Sequence, residues 1–220
     1  MKTIISSLNE GNPEILFNRL SEEFSPNSKF GLLSKIDKVF LHSMAKIIPK
    51  DGVVVELGVY LGAASTIIAH SNSTLQIHSF DLFDNSVQWP IDLHDTLTIE
   101  ALGLNQKRTI ENVQKLVNEY PNIHLHKVEK LSHVEFNEPI DLYLEDANHS
   151  NPLLAFRLHM WMPRVKVGGY VVLHDYRPFL PLDAQLRFKD VEDHVDRISK
   201  DPSWDFVGSC GGFAVLQKIK

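Results

Sequence analysis

The chain is poor in the features that mark several large protein classes. One cysteine, Cys210, in 220 residues rules out an intrachain disulfide and any zinc site built from clustered cysteines. No apolar run is long enough to span a bilayer, and the opening residues MKTIISSLNEGNPE turn polar too soon for a secretory leader. There is no G-x-S-x-G elbow and no Walker loop, so a serine-hydrolase nucleophile and a P-loop phosphate cradle are both missing. Positive charge is not in excess either: the formal net charge of -6 disfavours nucleic acid or an anionic membrane as the main partner. Neither an internal repeat nor a low-complexity linker is present. Cytoplasm is the expected location.

What is present suits a sizeable core, with 43% of residues apolar. Strands alternate with helices along most of it. Val53-Val54-Val55 is a short apolar run of the kind a doubly buried strand shows, and Ala63–Ala69 reads as a helix after a glycine turn. LQIHSFD (75–81) is a second strand, Asn105–Glu119 an amphipathic helix, Asn122–Val128 a third strand and Ile140–Leu144 a fourth. Pro152–Val165 is expected as a helix, after which Gly168-Gly169 turns into a fifth strand, Tyr170–His174. Asp190–Lys200 is helical in pattern, and Trp204–Lys218 reads as an antiparallel hairpin. Ahead of all this, Pro13–Glu23 and Ser34–Ile48 have helical spacing. The connection 82–104 is long enough to be a binding loop.

The fold class that follows is α/β: a Rossmann-like, doubly wound, mostly parallel sheet with a C-terminal antiparallel hairpin and an N-terminal helical segment. Residues 1–50 are expected to form that segment, as a packing layer or a substrate cap, and residues 51–220 the main domain. Ligands of such sheets bind beyond the carboxyl ends of the strands. That rule lines up Glu56 and Gly58, Asp81, Val128 and Glu129, Asp146, and His174 with Asp175 along one rim.

The loop after the first strand, E-L-G-V-Y-L-G (56–62), lacks the glycine spacing of a dinucleotide fingerprint. An NAD-dependent dehydrogenase is therefore the weakest alternative. The loop does resemble the first motif of class I S-adenosylmethionine-dependent methyltransferases, E-x-G-x-x-x-G. The resemblance implies a cofactor site drawn from Glu56, Gly58, Tyr60, Gly62 and Ser65. Asp81 would accept hydrogen bonds from both ribose hydroxyls, and Glu129 would approach the adenine side. A bland alternative for Asp81 is a helix cap.

Two further stretches, IDLYLEDANHS (140–150) and VGGYVVLHDY (167–176), are similar to signatures of small O-methyltransferases related to macrocin- and cephamycin-pathway enzymes. Asp146 matches the first aspartate, His149-Ser150 the His-Ser pair, and His174-Asp175-Tyr176 the second signature. Ala147, Asn151 and Glu145 depart from the pattern, Glu145 standing where an apolar residue is usual. In members that use a metal, the resemblance implies Asp146 and Asp175 as ligands of Mg2+ or another divalent cation, with His174 in a third place. Asp146, as ligand or base, and His149 are the catalytic candidates. The metal-free alternative makes Asp146 and Asp175 caps that only seat the cofactor.

The implied activity is methyl transfer from S-adenosylmethionine to a hydroxyl of a small molecule or sugar. Metal-independent transfer to nitrogen or carbon, and a cofactor-binding module without catalysis, are the alternatives. Trp161 and Met160 read as core, Trp89 and His94-Asp95 as loop residues with or without a substrate contact, and Cys210 as part of a turn. A homo-oligomer is compatible with the pattern.

Overall fold

The computed structural model describes residues 1–10, 33–84, 107–131, 134–177 and 188–220. Among the described residues seven strands form one sheet: β1 (Val53–Leu57), β2 (Gln76–Asp81), β3 (Ile123–Lys127), β4 (Ile140–Glu145), β5 (Val165–Leu173), β6 (Trp204–Cys210) and β7 (Phe213–Lys218). Their order is β3-β2-β1-β4-β5-β7-β6. The first five pair in parallel, while β7 runs antiparallel to both β5 and β6. The chain builds outward from β1 in one direction and then returns to add β4 on the other side. The crevice between β1 and β4 is thus the switch point at which such sheets bind ligands.

Helices cover both faces: α1 (Lys2–Glu10), α2 (Lys35–Ile47), α3 (Ala63–Ser71), α4 (Ile110–Leu116), α5 (Leu153–Trp161) and α6 (Lys189–Ile198). Alternation along each strand sends its side chains to opposite layers. Val54, Ile77, Leu142, Leu144 and Val172 pack with residues of α2 and α3, whereas Val55, Tyr143, Val171 and Leu173 pack with Leu154, Leu158 and Trp161 of α5 and Val191 of α6. The expected Rossmann-like class with its C-terminal hairpin is what the chain adopts.

α2 starts at Ser34, whose Oγ accepts from the Asp37 N–H at 3.3 Å while the Asp37 carboxylate accepts from the Ser34 N–H at 2.9 Å. This reciprocal cap satisfies two donors that a helix start leaves open. Boundaries differ from the sequence expectation in two places. The helix expected over 152–165 ends at Trp161 and passes through a 3-10 turn, Met162–Arg164, into β5. Gly168 and Gly169 therefore lie inside β5, where the β4 pairing slips between Ile140 and Leu142. The helix expected from Asn105 to Glu119 spans Ile110–Leu116, with Thr109 as its cap. The expected helix Pro13–Glu23 and nearly all of the 82–104 connection, with Trp89, His94 and Asp95, lie outside the described residues. Among the described residues, no helix is long and apolar enough to cross a membrane.

Candidate active site

β1 delivers the chain into the glycine loop that precedes α3. Gly58 has φ +88, and a Cβ there would meet the Asp146 carbonyl oxygen at 2.2 Å. The close approach that requires glycine at 58 is thus to the end of β4, not to open ligand space. Gly62, with φ +81, starts α3, and a Cβ there would meet Val117 beyond α4. Tyr60, half-buried and also at positive φ, has the Arg108 guanidinium 5.7 Å from its ring centre. The first turn of α3 leaves backbone N–H groups facing the crevice end of the sheet, which suits an anionic or carboxylate group.

Glu56 does not reach the rim. It is fully buried within β1, and its Oε2 accepts from Ser65 Oγ and from Ser79 Oγ, the latter at 2.7 Å. Burial, followed by the charges of Asp146 and Asp81, pushes its carboxyl up to about 8 despite the two hydroxyl donors. Ser65 is likewise enclosed, its hydroxyl committed to Glu56 and 3.0 Å from Ser79 Oγ. Of these two residues, only the Ser65 backbone is at the helix start.

Asp81 ends β2 at the rim. Its Oδ2 accepts from the N–H of Val59 at 2.7 Å and of Tyr60 at 3.2 Å, and its Oδ1 from the N–H of Phe83 at 2.9 Å. One carboxylate thereby sets the shape of the glycine loop. Beside it lies an open depression of about 610 Å³ lined by Leu82, Phe83, Asp84, Lys127, Val128 and Glu129. Glu129 is exposed on its wall.

Across the switch point, the ends of β4 and β5 bring Asp146, His149 and Asp175 together. One donor atom from each lies within 4.8 Å of the others. His149 Nδ1 is 3.2 Å from Asp175 Oδ2, and His149 Nε2 is buried with no hydrogen-bond partner among the described residues. Asp175 has φ +58. Burial acts to raise its carboxyl, but the hydrogen bond from His149 and the nearby imidazoles outweigh that and hold it below the usual range.

His174 adjoins this group. Its Nδ1 is 2.9 Å from Asp146 Oδ1, and its Nε2 faces Asp37 Oδ2 at 3.8 Å, a charge contact too long for a hydrogen bond. Burial opposes its protonation, yet Asp146, Asp37 and Asp175 together hold it well above the usual imidazole range. Its Nδ1 also lies 3.6 Å from Asp175 Oδ1, so both imidazoles border the two carboxylates, and His149 is the one that forms the three-donor group with them.

Two residues that the sequence did not single out complete the surroundings. Asp37 of α2 reaches His174 and also accepts from the Gly212 N–H in the hairpin turn at 2.8 Å. Arg157 of α5 is buried against Glu145. A capping pattern at Ser34–Asp37 and an arginine inside the apolar stripe of LLAFRLHMW were the available signals.

Comparisons with known proteins bear on the family and the fold. A family model described as a methyltransferase domain matches residues 55–176, more than half of the chain. No curated protein sequence matches significantly. Among solved structures, the O-methyltransferase NovP is 15% identical with a TM-score of 0.55, over 83% of this chain and 79% of that one. The MycE methyltransferase of the mycinamycin biosynthetic pathway, in complex with Mg and SAH, is 18% identical with a TM-score of 0.56. That match covers 93% of this chain and 55% of MycE. An rRNA methylase from Streptococcus thermophilus is 16% identical with a TM-score of 0.52, over 82% of this chain and 95% of that one. At such identities the likeness is one of fold, and with an rRNA methylase among the neighbours the expected exclusion of nucleic acid gains no support. The glycine loop, the rim carboxylate after β2 and the family match make one case: the chain belongs to the methyltransferase domain family and is an S-adenosylmethionine-dependent methyltransferase.

Proposed function

We propose that the chain methylates a hydroxyl group of a small molecule, a sugar being one candidate, with a divalent cation held by Asp146, Asp175 and His149. The observation that carries this reading is the convergence of those three donors within 4.8 Å at the switch point. Two carboxylates and one imidazole fit an ion of mixed oxygen and nitrogen preference, such as Mn2+ or Fe2+, better than Mg2+. When bound, the cofactor supplies an already activated methyl group and the cation lowers the pKa of an acceptor hydroxyl.

The residues do the rest. Asp81 and the glycine loop seat the ribose side of the cofactor, and Glu129 borders the space for its base. Asp146 and Asp175 place negative charge opposite the acceptor, and His174, already engaged by Asp146 and Asp37, orients Asp146 instead of binding the ion. The acidic surface, with net charge -6, favours a small acceptor over RNA. A place near the macrocin- and cephamycin-pathway enzymes rests on the D-x-x-H-S and H-D-Y stretches.

One observation favours a second reading. If His149 Nδ1–H donates to Asp175 Oδ2, its unpartnered Nε2 is left as a proton acceptor, and no metal is needed. Transfer of labelled methyl to catechol and to methyl glycosides, with and without EDTA, separates the two. Activity lost to EDTA and restored by Mn2+ supports the metal; activity indifferent to EDTA but abolished in His149→Ala supports the dyad. Binding of S-adenosylhomocysteine without turnover on any acceptor would leave a cofactor-binding module.

A further inference from the structure

Glu145 is a charged residue at the end of a doubly buried strand, and the structure shows what it holds. Tyr143 and Glu145 are two residues apart on β4, so both point into the layer of α5. There Arg157 sits among Leu154, Leu158 and Trp161. Its Nε lies 3.0 and 3.1 Å from the two oxygens of Glu145, and its second nitrogen donates to Oε1 at 2.8 Å. The Tyr143 hydroxyl donates to Glu145 Oε2. Arg157 and Glu145 side chains are only 4% and 0% exposed. A buried pair of this kind adds little stability over an apolar pair of equal volume, so its presence asks for another reason.

That reason lies one step further out. The same Arg157 nitrogen donates to the Asn148 carbonyl, and the Ala147 N–H donates to Glu145 Oε1 at 3.3 Å. Both contacts fall within Asp146–His149, the short segment that carries two of the three converging donors. We propose that Arg157, locked in orientation by Glu145 and Tyr143, is the positioning residue of this segment: it clamps the Asn148 carbonyl and thereby fixes the spacing of Asp146 and His149. A guanidinium can do this because its planar fork satisfies a carboxylate with one edge and has a donor left for a carbonyl; a lysine has no such fork. The functional consequence rests on the methyltransferase site proposed above, but the clamp itself does not.

The test uses the full chain and two variants. The triple change Tyr143→Phe, Glu145→Leu, Arg157→Met removes every member of the pair and its hydroxyl donor together, leaving no buried charge behind. Arg157→Lys keeps the charge opposite Glu145 but gives up the fork. Hydrogen exchange followed by mass spectrometry reads the peptide covering 145–151, and S-adenosylhomocysteine binding by calorimetry reports on the intact cofactor side. Exchange of that peptide is expected to rise at least tenfold in the triple variant and in Arg157→Lys, with cofactor affinity unchanged within twofold. Mn2+ affinity, read by its electron spin resonance signal, is expected to fall at least tenfold with it. Unchanged exchange in a variant that still binds S-adenosylhomocysteine would overturn the clamp. If the triple variant does not fold, Arg157→Lys decides by the same criterion. Faster exchange in variants of a wild-type protein that binds no Mn2+ would uphold the clamp while removing the metal.

Discussion

Oδ2 of Asp81 accepts the backbone N–H of Val59 at 2.7 Å, so the last residue of the second strand holds the loop that follows the first. Asp81→Ala is expected to weaken S-adenosylhomocysteine binding by about tenfold or more, because hydrogen bonds to a charged acceptor contribute about 1.5–3 kcal/mol each. Calorimetry measures it, and an unchanged dissociation constant would refute both the loop-shaping and the ribose roles.

Glu56 gives the protein a pH dependence of definite sign. Its carboxyl titrates at about 8 in the folded chain against an ordinary value of 4.5. Between those values the folded chain keeps a proton that the unfolded chain releases, so stability falls as pH rises through that window and levels off above it. Glu56→Gln, neutral throughout and still able to accept from Ser65 and Ser79, should flatten this decline. Thermal unfolding of both proteins from about pH 5 to about pH 9 is the measurement. Parallel curves would mean that Glu56 is ionised in the fold.

The glycines separate into costly and cheap positions. Gly58→Ala would drive a methyl group to 2.2 Å from the Asp146 carbonyl, and the expected outcome is a chain that does not fold or loses more than about 3 kcal/mol. Gly168, at φ +86, has nothing within 4 Å of an added Cβ, so Gly168→Ala should cost only the backbone strain, about 1–2 kcal/mol. Urea unfolding of the two variants compares them directly; equal losses would be inconsistent with the packing of Gly58 against β4.

Asp37→Ala removes a helix cap, the acceptor of the Gly212 N–H and the charge that faces His174. The cap alone accounts for about 1 kcal/mol, which Ser34→Ala isolates. The aspartate variant is expected to lose about 2–4 kcal/mol, the excess coming from the lost hairpin bond and from the loss of one of the carboxylates facing the His174 imidazole. Equal losses in the two variants by urea unfolding would show that the reach from α2 to the hairpin contributes nothing.

Much of the fold was legible because apolar runs and glycine turns report local geometry. Val53–Val55, the alternation at 75–81 and the hairpin at 204–218 all became strands, and Asp81, Asp146 and Asp175 lie at or just beyond the carboxyl ends of parallel strands, whereas Glu56 is buried inside β1. The failures have local causes. Pro163 sits in the 3-10 turn that ends α5 early, while Val165, apolar and helix-compatible in isolation, is claimed by pairing with Ile140. In the site, a motif locates a residue on the chain but not the direction of its side chain. Glu56 and Ser65 point inward to one another, and His174 is turned toward Asp37, a partner 137 residues earlier that no spacing rule could supply. Arg157 and Glu145 were visible only as two charges in apolar surroundings, each needing the other.

The bond from Gly212 to Asp37 joins residues 175 positions apart. A contact of such long range closes late, since the ordering of the intervening chain must precede it. On a ribosome, which delivers the chain from its N-terminus at about 5–20 residues per second, His174 waits for the final hairpin before its Asp37 side is sealed. The strands that border the β1–β4 crevice end at residue 145, so all of that crevice's own strands precede the hairpin that supplies Gly212.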